Sequence, residues 1–92
     1  MNRRSNSPQV PAHITIRVSG KLFQGHLSSV EQLVQSADEC GLWPLLSLAQ
    51  LEEVDRAALV YLMDGEHRRF GILLCPQFIR DWMDHERVRA AA

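Results

Sequence analysis

The sequence predicts an α/β domain, shading into α+β, from three observations: one segment of apolar and polar alternation, several segments with helical apolar spacing, and near-continuous apolar runs between them. Segments of strand and helix period take turns along the chain. That order implies a sheet with parallel neighbours joined by crossovers. Residues 1–11, rich in Arg, Asn, Ser and Pro, read as a flexible arm. A single domain is expected over 12–86, with 87–92 as a frayed C-terminal tail.

Ile14, Ile16 and Val18 alternate with Thr15 and Arg17, the period of a half-buried strand, and Gly20 ends it. Lys21-Leu22-Phe23 reads as a short second strand or an extended continuation before Gln24-Gly25-His26 turns the chain. Ser28-x-x-Glu31 has the form of a capping box. Leu27, Val30, Leu33, Val34 and Ala37 then supply the apolar face of a helix stopped by Gly41 after Cys40. Leu42 to Leu48 is apolar except at Pro44 and Ser47, as suits a strand covered on both faces. Glu52 and Glu53 read as a short acidic loop, and Asp55 as the cap of an abrupt helix start. Arg56 is ill placed there: a cation in the first turn meets the positive end of the helix dipole, unfavourable by roughly 0.3–1 kcal/mol when exposed. Glu52 and Glu53 are expected to offset it.

The segment after Asp55 has two readings of equal local merit. As a helix, Leu59, Leu62 and Met63 form its inward stripe and Gly71 closes it. As a hairpin, Leu59 to Met63 and Arg69 to Leu74 flank Asp64-Gly65, a strong two-residue turn signal. Gly65 inside a helix would cost about 1 kcal/mol relative to Ala. Beyond it, Ile72 to Cys75 reads as a strand and Pro76 as a permitted helix start. Phe78, Ile79, Trp82 and Met83 then mark a terminal amphipathic helix that fades at Asp84-His85-Glu86-Arg87.

With 92 residues and 46% hydrophobic content, the chain supports one core and one domain. Ten Lys and Arg against 11 Asp and Glu leave a formal charge of −1, without the basic footprint of a nucleic-acid binder. No apolar run has the roughly 20 residues of a membrane span. Neither membrane insertion nor a signal peptide is expected. Cys40 and Cys75 read as buried or half-buried free thiols, Cys40 packing under the end of the first helix, which suits a reducing cytoplasm. His13, His26, His67 and His85 are scattered, so no metal site is expected. Asp38-Glu39, Glu52-Glu53 and Asp81 with Asp84 read as solvated faces rather than an acid–base pair. No phosphate loop surrounds Lys21. Phe78, Ile79, Trp82 and Met83 read as core facing, with an exposed partner-binding stripe as the alternative, and Trp43 as a residue at a sheet end or interface.

Several of these segments together resemble the STAS domain, the family of sulfate-transporter cytoplasmic domains and bacterial anti-sigma factor antagonists. Val18-Ser19-Gly20-Lys21-Leu22 is similar to its apolar-x-Gly-x-Leu opening. Leu45-Leu46-Ser47-Leu48 resembles its buried third strand, with Ser47 in place of the usual Asp. Val54-Asp55-Arg56-Ala57-Ala58-Leu59 resembles the apolar-Asp-Ser-x-Gly-Leu helix start, and Phe70-Gly71-Ile72-Leu73-Leu74 the return strand. The resemblance, over about residues 13 to 84, implies a mixed sheet of four or five strands with helices mainly on one face. It also favours a helix from 56 to about 69 over the hairpin.

What the resemblance implies for function is a non-catalytic regulatory module that needs no cofactor. It would present Glu52, Glu53, Asp55, Arg56, Ala57 and Ala58 to a protein partner, either an anti-sigma factor or kinase-like protein or a transporter component. A homodimer is compatible with that role. In the antagonists the residue after the Asp is a phosphorylated Ser; here it is Arg56, which has no hydroxyl, and the family's Gly is Ala58. Ser47 is the candidate displaced phosphoacceptor. The alternative function is a small-ligand or nucleotide-binding domain with a pocket at the second helix N-terminus. A third reading is an unrelated α+β protein built on the Asp64-Gly65 hairpin.

Overall fold

The alternation around Ile14 and Ile16 forms β1 (His13–Arg17), which closes before Gly20, and Gly20, expected to end that strand, begins the next, β2 (Gly20–Leu22). The computed structural model describes residues 12–91, so the N-terminal arm expected over 1–11 lies outside the described residues. The chain continues through α1 (Leu27–Glu39), β3 (Trp43–Ser47), β4 (Leu51–Val54), α2 (Arg56–Gly65), β5 (Gly71–Leu73) and α3 (Gln77–Ala91). The α/β class is therefore observed. In place of one mixed sheet there are two small ones, β1-β3-β5 and β2-β4, in which every strand pairing is parallel.

Two chain paths, each broken once, run through both sheets. Gly20, at φ +72, redirects the first; a β-carbon there would meet nothing within 4 Å, so backbone freedom rather than space requires glycine. A turn closed by the Leu51 N–H donating to the Leu48 carbonyl at 3.0 Å redirects the second. The paths stay paired across the break, with Val18 N–H donating to the Ser47 carbonyl and Gly20 N–H to the Gln50 carbonyl, both at 3.0 Å.

The register then slips. Gly20 faces Leu51, but Lys21 faces Glu53, leaving Glu52 as the extra residue of a bulge. Leu51 and Val54 are buried, and both glutamates between them are exposed. The expected acidic loop is thus a strand. A period-two search misses it because its two inward residues stand three apart.

The core gathers Leu22, Val34, Leu46, Leu48, Leu59 and Leu62 with Phe70, Ile79 and Met83. The central strand β3 buries Pro44 and Leu46 and half-buries Trp43, Leu45 and Ser47, in line with a strand covered on both faces. α1 begins at Leu27 after a 3-10 turn over Gln24–His26, and Ser28 gives no cap. Glu31 is unavailable for a capping box because Tyr61 and Arg69 hold its carboxylate. Leu33, expected on the buried face, is 51% exposed beside Ile14 and Ile16 in a shallow apolar groove. α3 buries Ile79 and Met83, half-buries Trp82 and exposes Phe78. It runs on to Ala91 instead of fading at Arg87.

α2 takes the helical reading of the ambiguous segment, ending at Gly65 rather than near residue 69. Beyond it the N–H groups of Arg68, Arg69 and Phe70 all point to the Gly65 carbonyl, at 3.0, 2.8 and 3.2 Å. This tight wrap lays the fully buried Phe70 ring over Gly65 and stacks it on Tyr61, with centroids 5.6 Å apart. A β-carbon at position 65 would overlap that ring. The glycine of the apparent Asp-Gly turn signal is therefore required for space. In an open helix Gly→Ala gains about 1 kcal/mol. Gly65→Ala is expected instead to cost roughly 1–3 kcal/mol through overpacking, read as a lower urea midpoint, and Phe70→Leu in the same chain should restore part of the loss.

Candidate functional site

The start of α2 is built on Asp55. Its extended backbone, at φ −93 and ψ 176, leaves the carboxylate free to turn back on the helix. Oδ1 accepts the Ala58 N–H at 2.8 Å, and Oδ2 accepts the Gln24 N–H at 2.9 Å. The Asp55 N–H donates in turn to the Leu22 carbonyl at 3.3 Å. One residue thus caps α2 and joins it to the end of β2. Its carboxyl is held below the ordinary aspartate value by the Gln24 hydrogen bond first and the Ala58 bond second.

Arg56 finds its compensation in α3. Its guanidinium donates to Glu86 Oε1 at 3.0 Å, and Trp82 Nε1 donates to Oε2 of the same carboxylate at 3.3 Å. The Arg56 bond holds the Glu86 carboxyl below its usual value. Glu52 and Glu53 do not play the offsetting part expected of them. Glu53 faces Lys21 at 3.8 Å, while Glu52 forms no ion pair among the described residues. The sequence could not show this, because Glu86 lies on a different helix and reaches Arg56 only through packing.

Of the predicted surface residues, Glu52, Glu53 and Arg56 are exposed, and Asp55 and Ala57 are half-buried. Ala58 is 0% exposed and belongs to the core, so it cannot be a contact residue. Helical geometry puts it on the same side as Leu59 and Leu62. Ser47 lies upstream of the Leu48–Leu51 turn, half-buried at the end of β3. There it lines a cleft of about 370 Å³ together with Arg17, Ser19 and Gln50. Sequence reading did not gather those four residues. The available signal was only that Arg17 and Ser47 close two strand-like runs.

Two carboxylate clamps were also not foreseen. Arg69 grips both oxygens of Glu31 at 2.6 Å, and the Tyr61 hydroxyl donates to Oε1 at 2.8 Å, joining α1, α2 and the following loop. The Arg69 bonds dominate, and the Glu31 carboxyl is lowered to about 2; burial, then Glu31, raises the Tyr61 hydroxyl. Arg80 grips Glu66 in the same bidentate manner, at 2.9 and 2.6 Å, and lowers its carboxyl. Both arrangements neutralise a carboxylate against a guanidinium, which suits positioning rather than proton transfer.

Cys40 is exposed rather than packed under α1, since Ala37 takes the inward position. Cys75 is half-buried, and burial raises its thiol. Among the described residues no group of His, Cys, Asp or Glu is arranged to hold a metal, and no helix is long and apolar enough to cross a membrane. Comparison with protein-family models, curated proteins and solved structures gives no match for this chain.

The clamp at Glu31 fixes the expected acid response. A carboxylate lowered from 4.5 to about 2 on folding adds stability that is fully present above 4.5 and is lost as pH falls through 2. The urea midpoint is therefore expected to stay level from neutral pH to about pH 5 and then to decline toward pH 2. Glu31→Gln should lower the midpoint at neutral pH and flatten that decline. Asp55→Ala should lower the melting temperature at neutral pH, with a smaller deficit in acid, where the native carboxylate is itself protonated.

Proposed function

We propose that this chain is a non-catalytic regulatory module of STAS type, which docks on a protein partner through the bulged strand β4 and the start of α2. The observation that carries the reading is the meeting of two of the four segments on which the resemblance rests. Gly20-Lys21-Leu22 runs parallel to Leu51–Val54, and Asp55 bonds to both Leu22 and Gln24 while capping α2. The hydrogen bonds from Val18 to Ser47 and from Gly20 to Gln50 support taking the two small sheets as one STAS-type five-stranded arrangement with a break in it.

The proposed surface consists of Glu52, Glu53 and Arg56, with Ala57 at its edge and Asp55 as its support. The bulge turns two adjacent carboxylates outward, and Arg56 is 67% exposed. Glu86 engages one nitrogen of the guanidinium and fixes its position, leaving N–H groups for a partner carboxylate. Such charges set partner choice and encounter rate more than affinity. The partner class, an anti-sigma factor or kinase-like protein or a transporter component, rests on the resemblance, and the free thiols suit a cytoplasmic setting. With Arg56 in the phosphoacceptor position, the module works without the serine switch.

Arg56→Glu and the pair Glu52→Lys with Glu53→Lys are expected to keep the native circular dichroism. They should weaken a partner purified with the chain from its native cells by about tenfold or more, measured by calorimetry. Unchanged affinity in both variants would remove this surface from the reading. Mass spectrometry of the chain from those cells is expected to find no phosphate over residues 52–58; phosphate on Ser47 would relocate the switch to β3.

A further inference from the structure

The carboxyl ends of β1, β3 and β5 come together on one side of the three-stranded sheet. Arg17 and Ser47 are the last residues of β1 and β3 and are register partners, and Leu74 follows the end of β5. Beyond them both chain paths leave the line of the sheet, at Ser19-Gly20 and at the Leu48–Leu51 turn. The cleft of about 370 Å³ opens at that departure. Open parallel sheets bind ligands outside the carboxyl ends of their strands, and this volume falls in the range of small-molecule sites, roughly 300–1,000 Å³.

The lining has one chemical bias. The Arg17 guanidinium, the Ser19 and Ser47 hydroxyls and the Gln50 amide can all donate hydrogen bonds, and no carboxylate is among the lining residues. Arg17 makes no ion pair among the described residues, unlike the gripped Arg69 and Arg80. The rim adds an apolar contact. Leu74 is 71% exposed and held at φ +54, a left-handed conformation uncommon for a residue other than glycine, asparagine or aspartate and found mostly at turns and functional positions.

We infer that this cleft binds a small molecule carrying an oxyanion, a phosphate or a carboxylate, next to an apolar group. The oxyanion sits on Arg17 with the hydroxyls of Ser19 and Ser47, and the apolar group lies against Leu74. The site is separate from the Glu52–Arg56 surface and does not depend on its role. It also differs from a pocket at the α2 N-terminus, where Asp55 already occupies the capping position.

The test is a titration of the isotopically labelled full chain with phenyl phosphate, benzoate and inorganic phosphate, followed by amide NMR shifts at constant ionic strength. Saturable shifts centred on Ser19, Ser47, Gln50 and Leu74 are expected with at least one aromatic probe, and the preferred probe tells a phosphate from a carboxylate site. Arg17→Gln, at an exposed position, should keep the native spectrum and weaken binding by about tenfold or more. Leu74→Ser should weaken the aromatic probes and leave inorganic phosphate unaffected. Failure of both aromatic probes to saturate, shifts centred elsewhere, or binding unchanged in a folded Arg17→Gln chain would each overturn the inference.

Discussion

Every strand pairing among the described residues is parallel, and a parallel neighbour can be reached only by a crossover, never by a tight hairpin. That constraint makes α1 and α2 obligatory: each carries the chain from the end of one path back to the start of the next. It also collects strand ends of like polarity on one side. The carboxyl ends of β1, β3 and β5 therefore bring Arg17, Ser47 and Leu74 together although they are distant in sequence.

Short parallel strands need their crossovers held in place, and here polar clamps at the margin of an apolar core do this. Among the described residues no polar or charged one is buried. Instead Asp55 ties β2 to α2, Glu31 ties α1 to Tyr61 and Arg69, and Glu66 ties the end of α2 to Arg80 on α3. Asp55 and Glu31 keep contact with water while their oxygens are engaged, whereas the Glu66 side chain is only 7% exposed and its desolvation is offset by the bidentate bond from Arg80. The Asp55 clamp lies at the proposed docking surface, and the Glu66 clamp secures the opposite end of α2. Arg56 illustrates the principle: the cation that opposes the dipole of its own helix is settled by a carboxylate on another.

Several elements are legible in the residues themselves. The alternation of Ile14 and Ile16 with Thr15 and Arg17, the apolar stripe of α1, the cap at Asp55 and the apolar run before Ser47 each follow from local chemistry. Other features mislead for definite reasons. Asp64-Gly65 imitates a hairpin turn because glycine serves two purposes, left-handed backbone and absence of bulk, and only the Phe70 ring reveals which applies. Ser28-x-x-Glu31 imitates a capping box because the pattern cannot show that Arg69 and Tyr61 take the carboxylate. Leu51-Glu52-Glu53-Val54 conceals a strand because a bulge shifts its period.

The sequence by itself determined the α/β class, the segments that become β1, α1, β3 and α3, and the capping role of Asp55, since propensity, periodicity and capping act over a few neighbouring residues. Tertiary structure alone decided the split into two parallel sheets, the pairing of Arg56 with Glu86, the burial of Ala58 and the gathering of Arg17, Ser19, Ser47 and Gln50 around one cleft. Those outcomes depend on which elements come to lie beside each other. That is set by filling one core with all of them at once, and no local window of sequence contains it.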